Sequence, residues 1–239
     1  MQTAGAGENG DLSRLPAGMP PGGRGRGKIM RKRTAAVWLL TAALLLAGCG
    51  AGFDAAAYVR GILNNLYLGD PSEYMETAEV SEEEAAREYE QGIELETDYF
   101  LQYYGIGEIT DGVRQQISDM YRQIYGRSKY EVLEAVSDGK DYLVEVRISP
   151  IDVITDSRAD IDAAVEAFVL EAVPADYEDD RALNDALALL VVDVVTENLP
   201  DSGWQEPRSV IVKVEKGEDG YYRLDSTAIS QLDQEIIAY

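Results

Sequence analysis

The sequence predicts an α+β fold in which one antiparallel sheet of about four strands, built from two hairpins, carries several amphipathic helices. Three observations lead there. Over most of the chain, apolar residues recur every three to four positions, the spacing of one helix face. After Lys129 and again after Arg208 the spacing falls to two and glycine-bearing turns interrupt it, as in β-hairpins. The order helices, hairpin, two helices, hairpin, helix contains no strand–helix–strand repeat with short connections, which argues against a doubly wound parallel sheet.

Each element has its own signals. Phe53 to Leu68 predicts a helix capped by Asp54, with Val59, Ile62, Leu63 and Leu66 on one stripe and Gly69 as its stop. Asp70-Pro71 opens a short helix to about Thr77, since proline suits a first helical position. Ser81-Glu82-Glu83-Glu84 reads as a capping box for a long helix to about Tyr104, with Ala85, Tyr89, Ile93, Phe100 and Tyr103 inward. Thr110 or Asp111 caps the next helix, whose stripe is Val113, Ile117, Met120, Tyr121 and Ile124, closed by Gly126.

Tyr130–Val136 and Tyr142–Ile148 predict strands joined by Ser137-Asp138-Gly139-Lys140, because Asp-Gly accepts the positive φ of tight hairpin turns. Asp156 to Val173 predicts a helix with Ile161, Ala164, Val165, Phe168 and Ala172 inward and Pro174 beyond it. Asp176 to Leu199 is apolar most of the way round, the mark of a helix covered on more than one side. Arg208–Glu215 and Tyr221–Leu224 predict the second hairpin around Gly217-Glu218-Asp219-Gly220. Ser226 is placed to cap a closing helix with Ile229, Leu232 and Ile236 inward.

Upstream lies Met30–Cys49, MRKRTAAVWLLTAALLLAGC. Arg31, Lys32 and Arg33 precede an uncharged stretch from Thr34 to Gly48, too short for the roughly 20 residues that span a bilayer but right for a signal peptide core. The end, Leu46-Ala47-Gly48-Cys49, resembles the lipobox of bacterial lipoproteins, with small residues before a cysteine that takes the lipid. The organisation expected is a leader at 30–48, the lipidated Cys49 with a tether over 49–53, and an extracytoplasmic domain over 54–239. Residues 1–29 are too rich in Gly, Ala, Pro and Arg to fold, and Met30 opens a complete leader by itself, so translation is expected to start there.

The whole chain has a net charge of −23. Residues 1–48 hold seven basic and two acidic side chains, leaving 14 basic against 42 acidic beyond them, a net −28. Such a surface repels nucleic acid and anionic lipid headgroups and favours cationic, neutral or metallic partners. There is no histidine, and the sole cysteine is Cys49. Serine–histidine, cysteine–histidine and histidine-ligated zinc chemistry and an internal disulfide are therefore excluded, leaving carboxylate, Lys, Tyr, Ser and Thr for any reaction.

The leader, the segments FDAAAYVRGILNNLYLG, RISPIDVI and WQEPRSVIVKVEKGEDGYYRLD, and the end of the last helix resemble uncharacterised lipoproteins of Gram-positive, Clostridium-like bacteria. The resemblance implies a cystatin-like or NTF2-like fold, a lipid anchor on the outer face of the cell membrane, and no assigned activity, catalytic residue or cofactor. The helical pair between the hairpins is a departure from the simple NTF2-like order.

Three groups stand out for function. Tyr99 and Tyr103 at one helix end, with Tyr121 and Tyr125 on the next helix, can line a ligand cavity or fill the core. Trp204, in a loop before a strand, is either an exposed anchor or a plug over the sheet end. Asp152, Asp156, Asp160 and Asp162 lack EF-hand spacing and are placed to favour helix starts rather than a metal. The partners expected are the membrane, through Cys49, and a small molecule or protein of the envelope. A binding module is the leading reading. An enzyme using carboxylate or tyrosine chemistry and a structural subunit of an envelope complex stand beside it.

Overall fold

The computed structural model describes residues 53–171, Tyr177 and 179–239. The expected leader, Cys49 and tether residues 49–52 lie outside the described residues, as do Ala172, Pro174 and Asp176 between the two inserted helices.

The chain opens with α1 (Ala55–Leu63), capped by the Asp54 carboxylate, which accepts from the Ala57 amide at 2.9 Å. The helix widens into a π turn over Asn64–Leu68 and stops at Gly69, whose φ is 66°. The wider turn brings two asparagines to bear: Asn65 donates to the Ala85 carbonyl and Asn64 accepts from the Tyr130 hydroxyl. Next come α2 (Ser72–Ala78) and α3 (Glu82–Tyr104), the latter capped by Ser81 as its sequence predicts. α4 (Asp111–Tyr125) lies alongside α3.

Two hairpins then build one antiparallel sheet in the order β1-β3-β4-β5. β3 (Asp141–Ser149) and β4 (Arg208–Lys216) are central and pair from Tyr142↔Val214 to Ile148↔Arg208. The register aligns Val144 with Val212 and Val146 with Val210, so a valine-rich face is buried on one side, each side chain contributing about 2 kcal/mol. α1 and α8 (Ser226–Ile236) cover that face. β5 (Tyr222–Leu224) forms one edge.

The other edge departs from expectation. The predicted strand Tyr130–Val136 is divided into β1 (Lys129–Val132) and β2 (Val136–Asp138). Val132 pairs with Val146 and Val136 with Leu143, leaving three residues between the pairs on one strand against two on the other. One extra residue is a β-bulge, and it reverses the alternation. Without it Glu134 would point into the core. With it Ala135 packs inward, Glu134 is exposed, and Val136 turns out to solvent.

The inserted helices are α6 (Arg158–Glu171) and α7 (Asp180–Asn198). α7 lies between α4 and α6, burying Leu187, Ala188, Val191, Val192 and Val195. The predicted helix start at Asp156 is corrected by a short α5 (Val153–Asp156) that ends before α6 begins. Of the stripe expected on α6, Ile161 is buried while Ala164, Val165 and Phe168 are half-buried. One cap is also corrected: Asp225 rather than Ser226 stands before α8 and accepts from the Thr227 amide. Thr110 stands at the N-cap of α4 as expected, but its hydroxyl donates to Asp185 of α7.

Candidate functional site

α3 carries the residues that converge. Its register buries Ala85, Glu88, Ile93, Glu96, Thr97 and Phe100, so two carboxyl groups about 12 Å apart along the axis face inward. Each meets tyrosine.

Around Glu96, the Tyr239 hydroxyl donates to Oε2 at 3.1 Å and lies 3.1 Å from the Tyr121 hydroxyl. Tyr239 is brought there by the segment after α8, where Ile237 bridges to Ile151 and the Ala238 amide donates to the Ile151 carbonyl. The Tyr239 ring packs edge-on against Tyr99 at 4.9 Å and against Tyr103 at 5.3 Å. Tyr103 in turn accepts from the exposed Arg158 guanidinium at 2.9 Å. Burial, with the nearby Glu96 charge adding to it, holds the Tyr121 hydroxyl far above its ordinary pKa; burial does the same for Tyr239. These phenols are donors and acceptors, not bases.

Near the N-terminal end of α3, Glu88 accepts from Tyr74 of α2. Burial raises its carboxyl to about 7; the Tyr74 bond opposes the rise and the Glu84 charge adds to it.

The structure thus gathers Tyr99, Tyr103 and Tyr121 in one network. Tyr99 and Tyr103 are half-buried at its rim and Tyr121 is fully buried behind them. Tyr125, one turn further along α4, is buried with its ring 5.4 Å from Tyr67 on the side of the π turn. Trp204 belongs to a separate feature. Its backbone bridges to Ile151, its Nε1 donates to the Arg127 carbonyl at 3.0 Å, and Arg127 and Lys129 lie over its ring. It is still 42% exposed, so it covers the sheet end and presents an aromatic face together.

Sequence reasoning missed Glu96, Tyr239, Arg158 and the Glu88–Tyr74 pair. The signal for Glu96 was available: it continues the stripe from Ala85 through Ile93 to Phe100, so a helix set by those residues points it inward. Tyr239 and Arg158 join through contacts across 143 and 55 residues, which no local pattern carries.

In the acidic run, Asp152 accepts from Gln205 and Asp160 from Asn198. Among the described residues no group of three or more acidic side chains is placed to hold a metal ion. Nor is any helix there long and apolar enough to cross a membrane.

The fold and site define an α+β domain in which helices cover one face of an antiparallel sheet and bury a tyrosine–carboxylate network. No family model and no curated protein matches the chain. Among solved structures it is similar to a candidate lipoprotein of Bacillus subtilis, ycdA, with 15% identity and a TM-score of 0.56 over 78% of this chain. The chain spans 57% of that protein's length. A likeness at this identity is one of fold.

Proposed function

We propose that the chain is a lipoprotein of a Gram-positive, Clostridium-like bacterium, acylated at Cys49 and anchored on the outer face of the cell membrane. Its domain over 54–239, of cystatin-like or NTF2-like kind, serves as a non-catalytic binding or interaction module. The leader ending in Leu46-Ala47-Gly48-Cys49 supports the anchor, and the fold shared with ycdA is in keeping with it.

The binding reading is carried by the rim of the tyrosine network. Tyr99 and Tyr103 present half-buried rings beside the exposed Arg158, backed by Tyr121 and Tyr239. Rings fixed by packing, with a cation alongside, contact a partner with little loss of side-chain freedom. Trp204 is a second aromatic face, with Tyr125 as inner support for the first.

Native mass spectrometry of the Cys49→Ser domain tests the module. A retained small molecule that is lost in Tyr103→Ala supports it. A bare monomer directs the search to crosslinking on intact cells, and absence of both a ligand and a crosslinked partner overturns it. For the anchor, labelled palmitate is expected in the wild-type chain and not in Cys49→Ser.

A further inference from the structure

The described chain begins at Phe53, and its ring is fixed at one end of the sheet. It stacks on Tyr222 at 3.8 Å and lies 5.7 Å from Tyr142. That end carries both hairpin tips side by side: the Lys216 amide donates to Asp141, and the Lys140 ammonium donates to the Lys216 carbonyl. Phe53 stands four residues after Cys49, so fully extended chain spans at most about 14 Å between them. The opposite end of the sheet, at Ser149 and Arg208, is roughly 27 Å away along β3.

The tether end is less acidic than the chain as a whole. Around the hairpin tips are Lys140, Lys213, Lys216 and Arg223 against seven carboxylates, Asp54, Asp138, Asp141, Glu215, Glu218, Asp219 and Asp225. The rest of the chain beyond Cys49 has ten cations against 35 carboxylates, with Arg127, Lys129, Arg147 and Arg208 among the ten at the far end of the sheet. Three of the four lysines after Cys49 are at this end, and Lys140 and Lys216 contact a carbonyl and the Tyr222 ring rather than carboxylates. Half-buried Phe53, Tyr142, Tyr221 and Tyr222 add the aromatic character suited to the headgroup region of a bilayer.

We infer that the hairpin tips at Gly139–Lys140 and Gly217–Gly220 face the lipid surface that holds Cys49, with Trp204 and the Tyr99–Tyr103 rim held toward the far end of the domain. The cations at the tips soften the repulsion between an acidic domain and anionic headgroups at the one place where the tether forces them together. The inference rests on acylation of Cys49.

Acylation consumes the Cys49 thiol, so one introduced cysteine can be labelled alone. The full acylated chain carrying Glu218→Cys or Glu206→Cys, both at exposed positions, is bound to vesicles of phosphatidylglycerol and phosphatidylcholine containing a headgroup quencher. Quenching is expected to be several-fold stronger at position 218 than at 206. Equal quenching in chains that float with the vesicles overturns the orientation while leaving the anchor in place. The same contrast is expected on phosphatidylcholine alone, because the tether sets the orientation. Failure of the chain to float overturns the anchor and this inference with it.

Discussion

Two helical pairs in this chain are built to different standards. α3 and α4 bury Ile93, Phe100, Ile117, Met120, Tyr121 and Ile124 between them and the rest of the core. Their outer edges are joined by Arg122 to Glu90 and by Arg114 to Glu94 and Asp98, and Thr97 meets Ser118 inside. In the second pair α7 is well buried but α6 is not: Ile161 alone is fully covered, and Leu170 is 79% exposed. α6 is fixed mainly at its start, where Asn198 donates to Ser157 and Asp160. A helix held along its length opens with the whole fold, whereas one held at an end opens alone. The firmer pair is also the one that supports the tyrosine network.

The largest effect should come from the firmer pair. Ile117→Ala removes a fully buried side chain and is expected to cost about 3–4 kcal/mol in denaturant unfolding. Phe168→Ala on α6 should cost about 1 kcal/mol, because its ring is half-buried. Equal losses would erase the contrast.

Next is Glu88. The folded carboxyl keeps its proton to about pH 7, against 4.5 in the unfolded chain, so the folded state binds more protons between those values. Stability should therefore fall as pH rises through that interval, by at most about 3 kcal/mol in all, and Glu88→Gln should flatten the profile. An unchanged profile in the variant would assign the dependence elsewhere.

Tyr121→Phe deletes the hydroxyl shared with Tyr239 and is expected to cost about 1 kcal/mol. Arg114→Gln opens a half-exposed ion pair and should cost at most about 1 kcal/mol, a loss that vanishes in high salt. Hydrogen exchange gives the contrast directly, with α6 amides expected to exchange far ahead of those of α3. Matching protection would show the pairs open together.

Much of the fold could be read from local signals. Asp54, Ser81, Gly69 and Gly139 act at their own positions, and the stripes of α3 and α4 follow from spacing. The bulge at Leu133–Ala135 left only a faint mark, since YEVLEAV loses its alternation at Val132-Leu133, and the register against β3 is what shows the extra residue. Within the site, Tyr99, Tyr103 and Tyr121 were legible as a cluster on adjoining helices. Tyr239 was not, since it arrives through a backbone bridge between Ile237 and Ile151. Trp204 had two opposed readings, and the structure holds it at the sheet end through its Nε1 bond while leaving it partly exposed.

The bulge has a consequence for crowding. For a chain held by the proposed anchor, neighbours meet in two dimensions, at one height and in one orientation, so sheet edges encounter one another far more often than in free solution. A long, regular edge would then act as a template for strand addition. The kink between β1 and β2 breaks that edge into runs of four and three residues, so on this side the sheet offers no long regular strand for a neighbour to copy.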